Sequence, residues 1–250
     1  MTLRYKAWRE SQIRFLIAAA LLAAVCAIVI LLEQQFRAQL NAARAPLNSY
    51  TGYIYLRIYG GFARGLFLIL ALMLGLGGLQ REKAHGSIGF TLALPLRRFN
   101  LVAVRAFVGL SEVVLLAALP VALVPTLSLL AGQSYPFAQC LQFALLWIAV
   151  GSAVFSVAFL TSVAVASEYT ALAISLVLFY IYPLAIRFGP LRGWPLHIHY
   201  IMNGTGMPYF DPARDLLIGP VPWLILGTAM AVAMGLLSLA AWITQRQDFA

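Results

Sequence analysis

The stretch FLIAAALLAAVCAIVILL, residues 15–32, contains no charged residue, no proline and no glycine. A membrane-spanning α-helix needs about 20 consecutive, mostly apolar residues, so this stretch predicts one crossing of a bilayer. It is longer than the apolar region of a secretory signal peptide, about 7–15 residues, and no small-residue cleavage site follows it. We therefore expect a retained transmembrane helix.

Five further apolar runs follow along the chain, each long enough for a crossing. Their length favours helices over the strands of a membrane barrel, which have about 9–11 residues. The tightest turn is expected within TSVAVASEYT, residues 161–170, where Glu168 marks the boundary between the fourth and fifth runs. The sequence predicts an all-α membrane protein with one transmembrane domain, residues 1–250, and spans at about 15–32, 58–79, 101–130, 137–163, 169–186 and 216–243.

The composition supports this class of protein. Hydrophobic residues make up 62% of the chain, charged residues only 10%, and the mean hydropathy is +0.89. The net charge of +9 would suggest nucleic acid in a soluble protein. Here the basic residues flank apolar runs, which favours contact with anionic lipid head groups and argues against a nucleic-acid partner.

The distribution of lysine and arginine predicts the orientation, because these residues concentrate in cytoplasmic segments. Ten lie on the side of the N-terminus and seven on the other side. We therefore expect both termini in the cytoplasm of a bacterial-type inner (plasma) membrane. The opening segment LRYKAWRESQIRF, residues 3–15, places Tyr5 and Trp8 among charges, which is typical of an amphipathic helix in the membrane interface; a simple polar tail is the alternative.

The segment QREKAHGSIGFTLALPLRRFN, residues 80–100, lies between the second and third runs and is called the signature segment below. It carries charges at both ends and apolar residues between them, and Pro95 disfavours a helical conformation at Leu94. Its apolar residues would be exposed unless something covered them. They either enter the lipid interface or dock on a cytoplasmic partner, and the residues alone do not choose between the two.

The signature segment resembles the corresponding region of the ABC-2 type permeases, the membrane subunits of ATP-binding-cassette exporters. The resemblance rests on Glu82, a Gly86–Ser87 pair, a Leu94–Pro95 pair, and two basic positions, Arg98 and Arg105. Serine replaces the more common threonine, and Arg105 replaces the more common lysine. The motif match covers residues 80–105, and the six-span layout extends it over the chain.

The resemblance implies a cytoplasmic coupling helix between the second and third helices, which docks on a separate ATPase subunit. It also implies two ATPase copies that bind ATP and magnesium, and a second permease chain, identical or related. Glu82 would pair with a basic group of the ATPase or fix the segment locally; a solvated charge is the alternative. The residues expected to couple to the ATPase are Glu82, Gly86, Ser87, Leu92, Leu94, Pro95 and Arg98.

Sequence motifs for catalysis are absent, so this chain is expected to bind no cofactor and to contain no catalytic residue. It has no G-x-x-x-x-G-K-[ST] phosphate loop, no H-E-x-x-H, no C-x-x-C and no G-x-S-x-G. ATP hydrolysis would therefore require another chain. A membrane scaffold that recruits a cytoplasmic partner without transport is the alternative function, and an intramembrane enzyme is a third one.

Charged residues within apolar runs are costly and often functional. Arg64 is a candidate gate residue, with snorkelling to the head groups as the alternative. Glu112 is a candidate pathway or dimer-interface residue, with a bond to a neighbouring helix as the alternative. Glu168 is expected to lie in the turn between the fourth and fifth runs, and contact with the ATPase is the alternative.

Soft metal ligands cluster in the loop between the fifth and sixth runs, which contains His197, His199, Met202 and Met207. Two histidines at i and i+2 without cysteine are a weak pattern for copper, so no metal site is predicted. Cys26 and Cys140 lie in separate apolar runs, which predicts neither a disulfide nor a metal site.

Overall fold

The computed structural model describes residues 2–42, 49–76, 98–165, 167–188, 197–205, 210–211 and 215–246. These residues are almost entirely helical. In chain order the elements are α1 (Thr2–Leu31), α2 (Glu33–Ala42), α3 (Tyr50–Ile54), a π-helical turn (Tyr55–Tyr59), α4 (Phe62–Gly75), α5 (Arg98–Leu130), α6 (Phe137–Ala164), α7 (Glu168–Phe188), α8 (Ile198–Asn203), β1 (Phe210–Asp211), β2 (Leu216–Leu217) and α9 (Trp223–Arg246).

Six helical segments among the described residues are long and apolar enough to cross a membrane, which confirms the predicted fold class. We number them as crossings one to six: Leu3–Leu31, Tyr50–Gly75, Phe99–Leu130, Phe137–Ala164, Tyr169–Ile186 and Trp223–Arg246. The expected coupling helix falls within residues 77–97, which lie outside the described part of the chain.

Crossing one is longer than its apolar run. Residues 2–14 are helical, as expected, but they continue directly into the apolar run as one helix, α1, of 30 residues. The position of this N-terminal part at a membrane interface stays a prediction.

Crossing two begins at Tyr50, earlier than the predicted position 58. Residues 50–57 are helical although they include the charged Arg57. The Ser49 hydroxyl caps this start by accepting the N–H of Gly52 at 3.0 Å. The crossing is interrupted at Gly60 and Gly61, where a Cβ on Gly61 would lie 2.1 Å from the Leu56 carbonyl oxygen. Only a residue without a side chain fits this break.

Crossing six begins at Trp223, later than the predicted position 216. Leu216 and Leu217 instead form β2, which pairs antiparallel with β1. The amide of Gln139 on α6 completes this pairing: it donates to the Leu217 carbonyl at 2.7 Å and accepts the Leu217 N–H at 3.0 Å. Pro220 and Pro222 then separate β2 from α9.

Helix α6, crossing four, is the centre of the bundle and packs against α4, α5, α7, α8 and α9. Its buried aromatic residues face crossing two: the Phe143 ring stacks on Tyr59 at 4.2 Å, and Trp147 contacts Phe67 at 4.9 Å between ring centroids. The turn after α6 is short, since α6 ends at Ala164 and α7 begins at Glu168, as the sequence indicated.

Candidate functional site

The described part of the chain stops at Leu76, at the end of crossing two, and resumes within the signature segment at Arg98, at the start of α5. We call this end of the bundle the signature end. Glu82, Gly86, Ser87, Leu92, Leu94 and Pro95 lie outside the described residues, so their predicted roles stay predictions. Arg98 is the first residue of α5, and its role stays a prediction as well.

A polar cluster lies at the signature end between α1 and α5, two helices that pack against each other along their length. We call it the signature-end cluster; its members are Glu10, Ser11 and Arg14 of α1 with Arg105 and Glu112 of α5. Residues 10, 11 and 14 share one face of α1 because helical neighbours recur every three or four positions. Arg105 and Glu112 are seven positions apart and share one face of α5 for the same reason. Their partners on α1 could not be predicted from the sequence.

Glu10 and Arg105 form an ion pair across the two helices. The distance from Arg105 Nη2 to Glu10 Oε2 is 3.2 Å, and the Arg105 side chain is only 11% exposed. Lys6, one turn earlier on α1, also lies 3.8 Å from Glu10 Oε1. Glu10 thus joins a basic residue of its own helix to one of α5.

Glu112 is fully buried, and its Oε1 accepts a hydrogen bond from the Ser11 hydroxyl. This is the bond to a neighbouring helix that the sequence left open as an alternative. Its second oxygen, Oε2, has no hydrogen-bond partner within the described part of the chain. A role of Glu112 in a pathway stays a prediction.

Arg14 connects α1 to the end of crossing two by donating from Nη1 to the Leu76 carbonyl oxygen. Leu76 has left the helix, with φ −83° and ψ 146°. The last carbonyls of a helix lack intrahelical donors, and a guanidinium satisfies them while complementing the negative end of the helix dipole. Arg14 therefore fixes crossing two at the point where the chain leads into the signature segment.

A small cavity of about 40 Å³ lies inside the cluster. It is lined by the five cluster residues and by Ala7, Leu74, Gly75, Leu76, Val108, Gly109, Phe155 and Phe159. A buried water needs roughly 10–15 Å³ of such space and several polar partners, so the cavity has room for water at the second oxygen of Glu112.

Close backbone packing holds both flanks of the signature segment on α6. A Cβ on Gly75 would lie 2.5 Å from the Phe155 carbonyl oxygen, and one on Gly109 would lie 2.4 Å from the Phe155 ring. The Ser162 hydroxyl also donates to the Gly75 carbonyl at 3.4 Å. At Gly75 and Gly109, crossings two and three therefore pack against crossing four so closely that no side chain fits between them.

Arg64 lies at the opposite end of α4. Its Nη1 donates to the His199 carbonyl of α8 at 3.3 Å, and the Tyr55 hydroxyl donates to the Asn203 carbonyl at 2.9 Å. The structure therefore brings Arg64 together with the loop before crossing six and does not bring it to Glu112. Gating by Arg64 and snorkelling both stay predictions.

The histidines of α8 pack on aromatic rings. His199 lies edge-on to Phe179 at 6.0 Å, and His197 lies 4.5 Å from Tyr200, both between ring centroids. Burial lowers the pKa of His199, and the positive charges of Arg64 and His197 lower it further. No group of three or more His, Cys, Asp or Glu side chains within the described ranges could hold a metal ion. Met207 lies outside those ranges.

An apolar groove of about 500 Å³ separates crossings five and six at the middle of the bundle. Its walls come from crossings two, four, five and six and from α8, and Ser175 and Tyr182 carry its hydroxyl groups. The Ser175 hydroxyl is already hydrogen-bonded to that of Thr161 at 2.5 Å. This groove could not be predicted from the sequence, because its residues come from distant parts of the chain.

Comparison with protein-family models matches residues 9–191 to the model described as ABC-2 family transporter protein. The matched residues contain most of crossing one, the signature segment and crossings two to five. No curated protein matches the chain. The family match covers well over half of the 250 residues. It agrees with six membrane-crossing helices and with the motif at residues 82–105. The chain is a multi-pass membrane transport component that belongs to the ABC-2 family of transporter proteins.

Proposed function

We propose that this chain is the permease subunit of an ABC exporter and that ATP hydrolysis by a separate ATPase drives substrate movement through it. The observation that carries the proposal is the family match over residues 9–191, which contains the signature segment between crossings two and three. The chain has no phosphate-binding loop of its own, so ATP and magnesium would bind to the partner.

The proposed complex contains two ATPase copies and a second permease chain, identical or related. The ATPase docks on the signature segment through Glu82, Gly86, Ser87, Leu92, Leu94, Pro95 and Arg98. Residues 10–14 of α1 lie at the signature end, which supports a common side for the N-terminus and this segment. An even number of crossings returns the C-terminus to the same side, the cytoplasmic face of a bacterial-type inner membrane.

Purification of the tagged chain from its native membrane tests the docking. The bound proteins are identified by mass spectrometry, and the ATPase rate of the complex is measured. Leu92→Asp places a charge in the apolar part of the signature segment and is expected to abolish ATPase binding. Ser134→Asp adds the same charge in the exposed turn between α5 and α6 at the opposite end, and it should leave binding intact.

Three outcomes would contradict the proposal in different ways. If the wild-type chain retains no ATPase, the transporter function is wrong. If Leu92→Asp binds the ATPase with an unchanged hydrolysis rate, docking through the signature segment is wrong. If a partner binds but reconstituted vesicles show no ATP-dependent change in their contents, the scaffold function is favoured.

A further inference from the structure

We infer that α1 carries the motion of the signature segment across the membrane and that the signature-end cluster ties this helix to the segment. The inference rests on the proposed function, since it assumes that an ATPase moves the segment. It adds to that function a route of transmission through Glu10, Ser11 and Arg14, residues outside the signature motif.

The first step is that one face of α1 holds both flanks of the signature segment. On the side of crossing two, Arg14 donates to the Leu76 carbonyl, the last described residue before the segment. On the side of crossing three, Glu10 pairs with Arg105 and Ser11 bonds Glu112. A displacement of either flank therefore acts on residues 10–14 of α1.

The second step concerns the chemistry of this tie. Glu112 has no exposed surface, so its bond to Ser11 is shielded from solvent. In the ion pair, the Arg105 side chain is 11% exposed, while Glu10 is 39% exposed and lies at the edge of the cluster. Polar contacts in apolar surroundings are directional and are not easily replaced by water, unlike sliding apolar contacts between helices. The cluster therefore fixes the position of α1 relative to crossings two and three.

The third step is the rigidity of α1 beyond the cluster. It is one uninterrupted helix from Thr2 to Leu31 without proline or glycine. From residue 10 to residue 29 it extends about 29 Å, at about 1.5 Å per residue, which is close to the hydrocarbon thickness of a bilayer. At its far end the Val29 carbonyl oxygen accepts a hydrogen bond from the buried Tyr53 hydroxyl at 2.6 Å. A shift at the cluster thus reaches the opposite end of the bundle.

The test measures motion of the far end of α1 without knowledge of the cargo. Spin labels are attached to cysteines at two exposed positions, Ile28 of α1 and Leu141 of α6, after the buried Cys26 and Cys140 are replaced by alanine. The distance between the labels is measured by pulsed EPR in the complete complex with its ATPase in lipid nanodiscs. Measurements are made without nucleotide and after trapping with ATP and vanadate.

Arg14→Met removes the donors to Leu76 and keeps the side-chain length. We expect it to bind the ATPase and hydrolyse ATP while losing the nucleotide-dependent distance shift that the wild type shows. Arg14→Lys, which keeps the charge and a donor, should restore most of the shift. Arg9→Met is the matched control, because Arg9 is an exposed residue of the same helix. This variant should show the same nucleotide-dependent distance shift as the wild type.

A charge swap provides an independent variant if Arg14→Met does not assemble. Glu10→Arg and Arg105→Glu should each lose the shift, and the double variant should regain it. The inference is overturned if trapping leaves the distance between the labels unchanged in a wild-type complex that contains the ATPase. It is also overturned if Arg14→Met shows the wild-type distance shift, or if the double charge swap does not regain that shift. Absence of the ATPase from the wild-type complex would instead overturn the proposed function.

Discussion

Single glycines decide how closely crossings two and four approach each other. Gly75 faces the Phe155 carbonyl oxygen and the Ala158 methyl group, which an added Cβ would meet at 2.5 and 2.8 Å. Gly65, ten residues earlier in the same helix, has nothing within 4 Å of such a Cβ. Gly65 lies near the start of α4 and Gly75 is its last residue. Neither has a positive φ, so the backbone accepts alanine at either position and the packing distinguishes them.

We predict that Gly75→Ala destabilises the protein by about 1–3 kcal/mol, the usual effect of forcing an extra methyl group into close packing. The reason is that the nearest atom is backbone and cannot rotate away. Gly65→Ala should be neutral or stabilising by up to about 1 kcal/mol. Thermal unfolding in detergent, followed by tryptophan fluorescence, measures both variants. Equal midpoints for the two variants would contradict the close contact at Gly75.

The sequence identified Arg64 and Glu112 as unusual charges, because each lies within an apolar run. It could not identify their partners: Ser11 lies 101 positions from Glu112, and His199 lies 135 positions from Arg64. Spacing along a helix indicates only which residues share a face. Arg105 and Glu112 share a face of α5 at a spacing of seven residues, yet each contacts a residue of α1 instead of the other.

Among the elements, α8 is the short helix that covers the groove between crossings five and six. Ile198 and Ile201 line the groove, and the Arg64 and Tyr55 side chains bind the carbonyl oxygens of His199 and Asn203. His199 lies at the contact with crossing five. Its pKa is lowered below the ordinary value of 6.5, first by burial and then by the charges of Arg64 and His197, so the neutral imidazole is favoured in the folded chain.

This lowered pKa predicts that α8 loosens in mild acid. The unfolded chain takes up a proton on this histidine at about pH 6.5, and the folded chain does so only at lower pH, so stability falls as the pH decreases through this window. The protection factors of residues 198–203, which are corrected for the intrinsic pH dependence of amide exchange, should therefore fall between about pH 7 and pH 5, a range set by the ordinary histidine pKa.

His199→Gln removes the titrating group and should flatten this pH dependence. Asp215 provides a contrast: burial and Asp211 raise its pKa above 3.8, so its titration stabilises the folded chain toward acid and has the opposite sign. A loss of protection that persists unchanged in His199→Gln would assign the effect to another group.

Hydropathy predicted which elements exist more reliably than where they begin. Crossing four was predicted at 137–163 and is observed at Phe137–Ala164, since its whole length is apolar. The starts of crossings two and six were misplaced for two reasons. Residues 50–57 contain tyrosines and Arg57, a composition typical of a loop, yet they are helical. Leu216 and Leu217 are apolar, yet they form a strand whose backbone is hydrogen-bonded by the Gln139 side chain of α6. Such long-range backbone contacts leave no periodic signal.

Across the whole molecule, burial is distributed unevenly among the crossings. Of the most apolar 18-residue window in each, 72% is buried in crossing four but only 17% in crossing five. Helix α7, which contains crossing five, carries a stripe of large exposed side chains at helical spacing: Val177, Ile181, Leu184 and Phe188. Either lipid or a second permease chain can cover such a face.

We predict that a second chain contacts this stripe. Leu184 is 57% exposed and Met234 on crossing six is 55% exposed, so cysteines at these positions are equally accessible within one chain. In a background where the buried Cys26 and Cys140 are replaced by alanine, Leu184→Cys should form a disulfide-linked dimer in native membranes after mild oxidation. Met234→Cys should remain monomeric because Met234 lies on crossing six, outside the stripe on crossing five. Equal dimer yields would indicate random collision in the membrane, and a dimer from Met234→Cys alone would place the interface on crossing six.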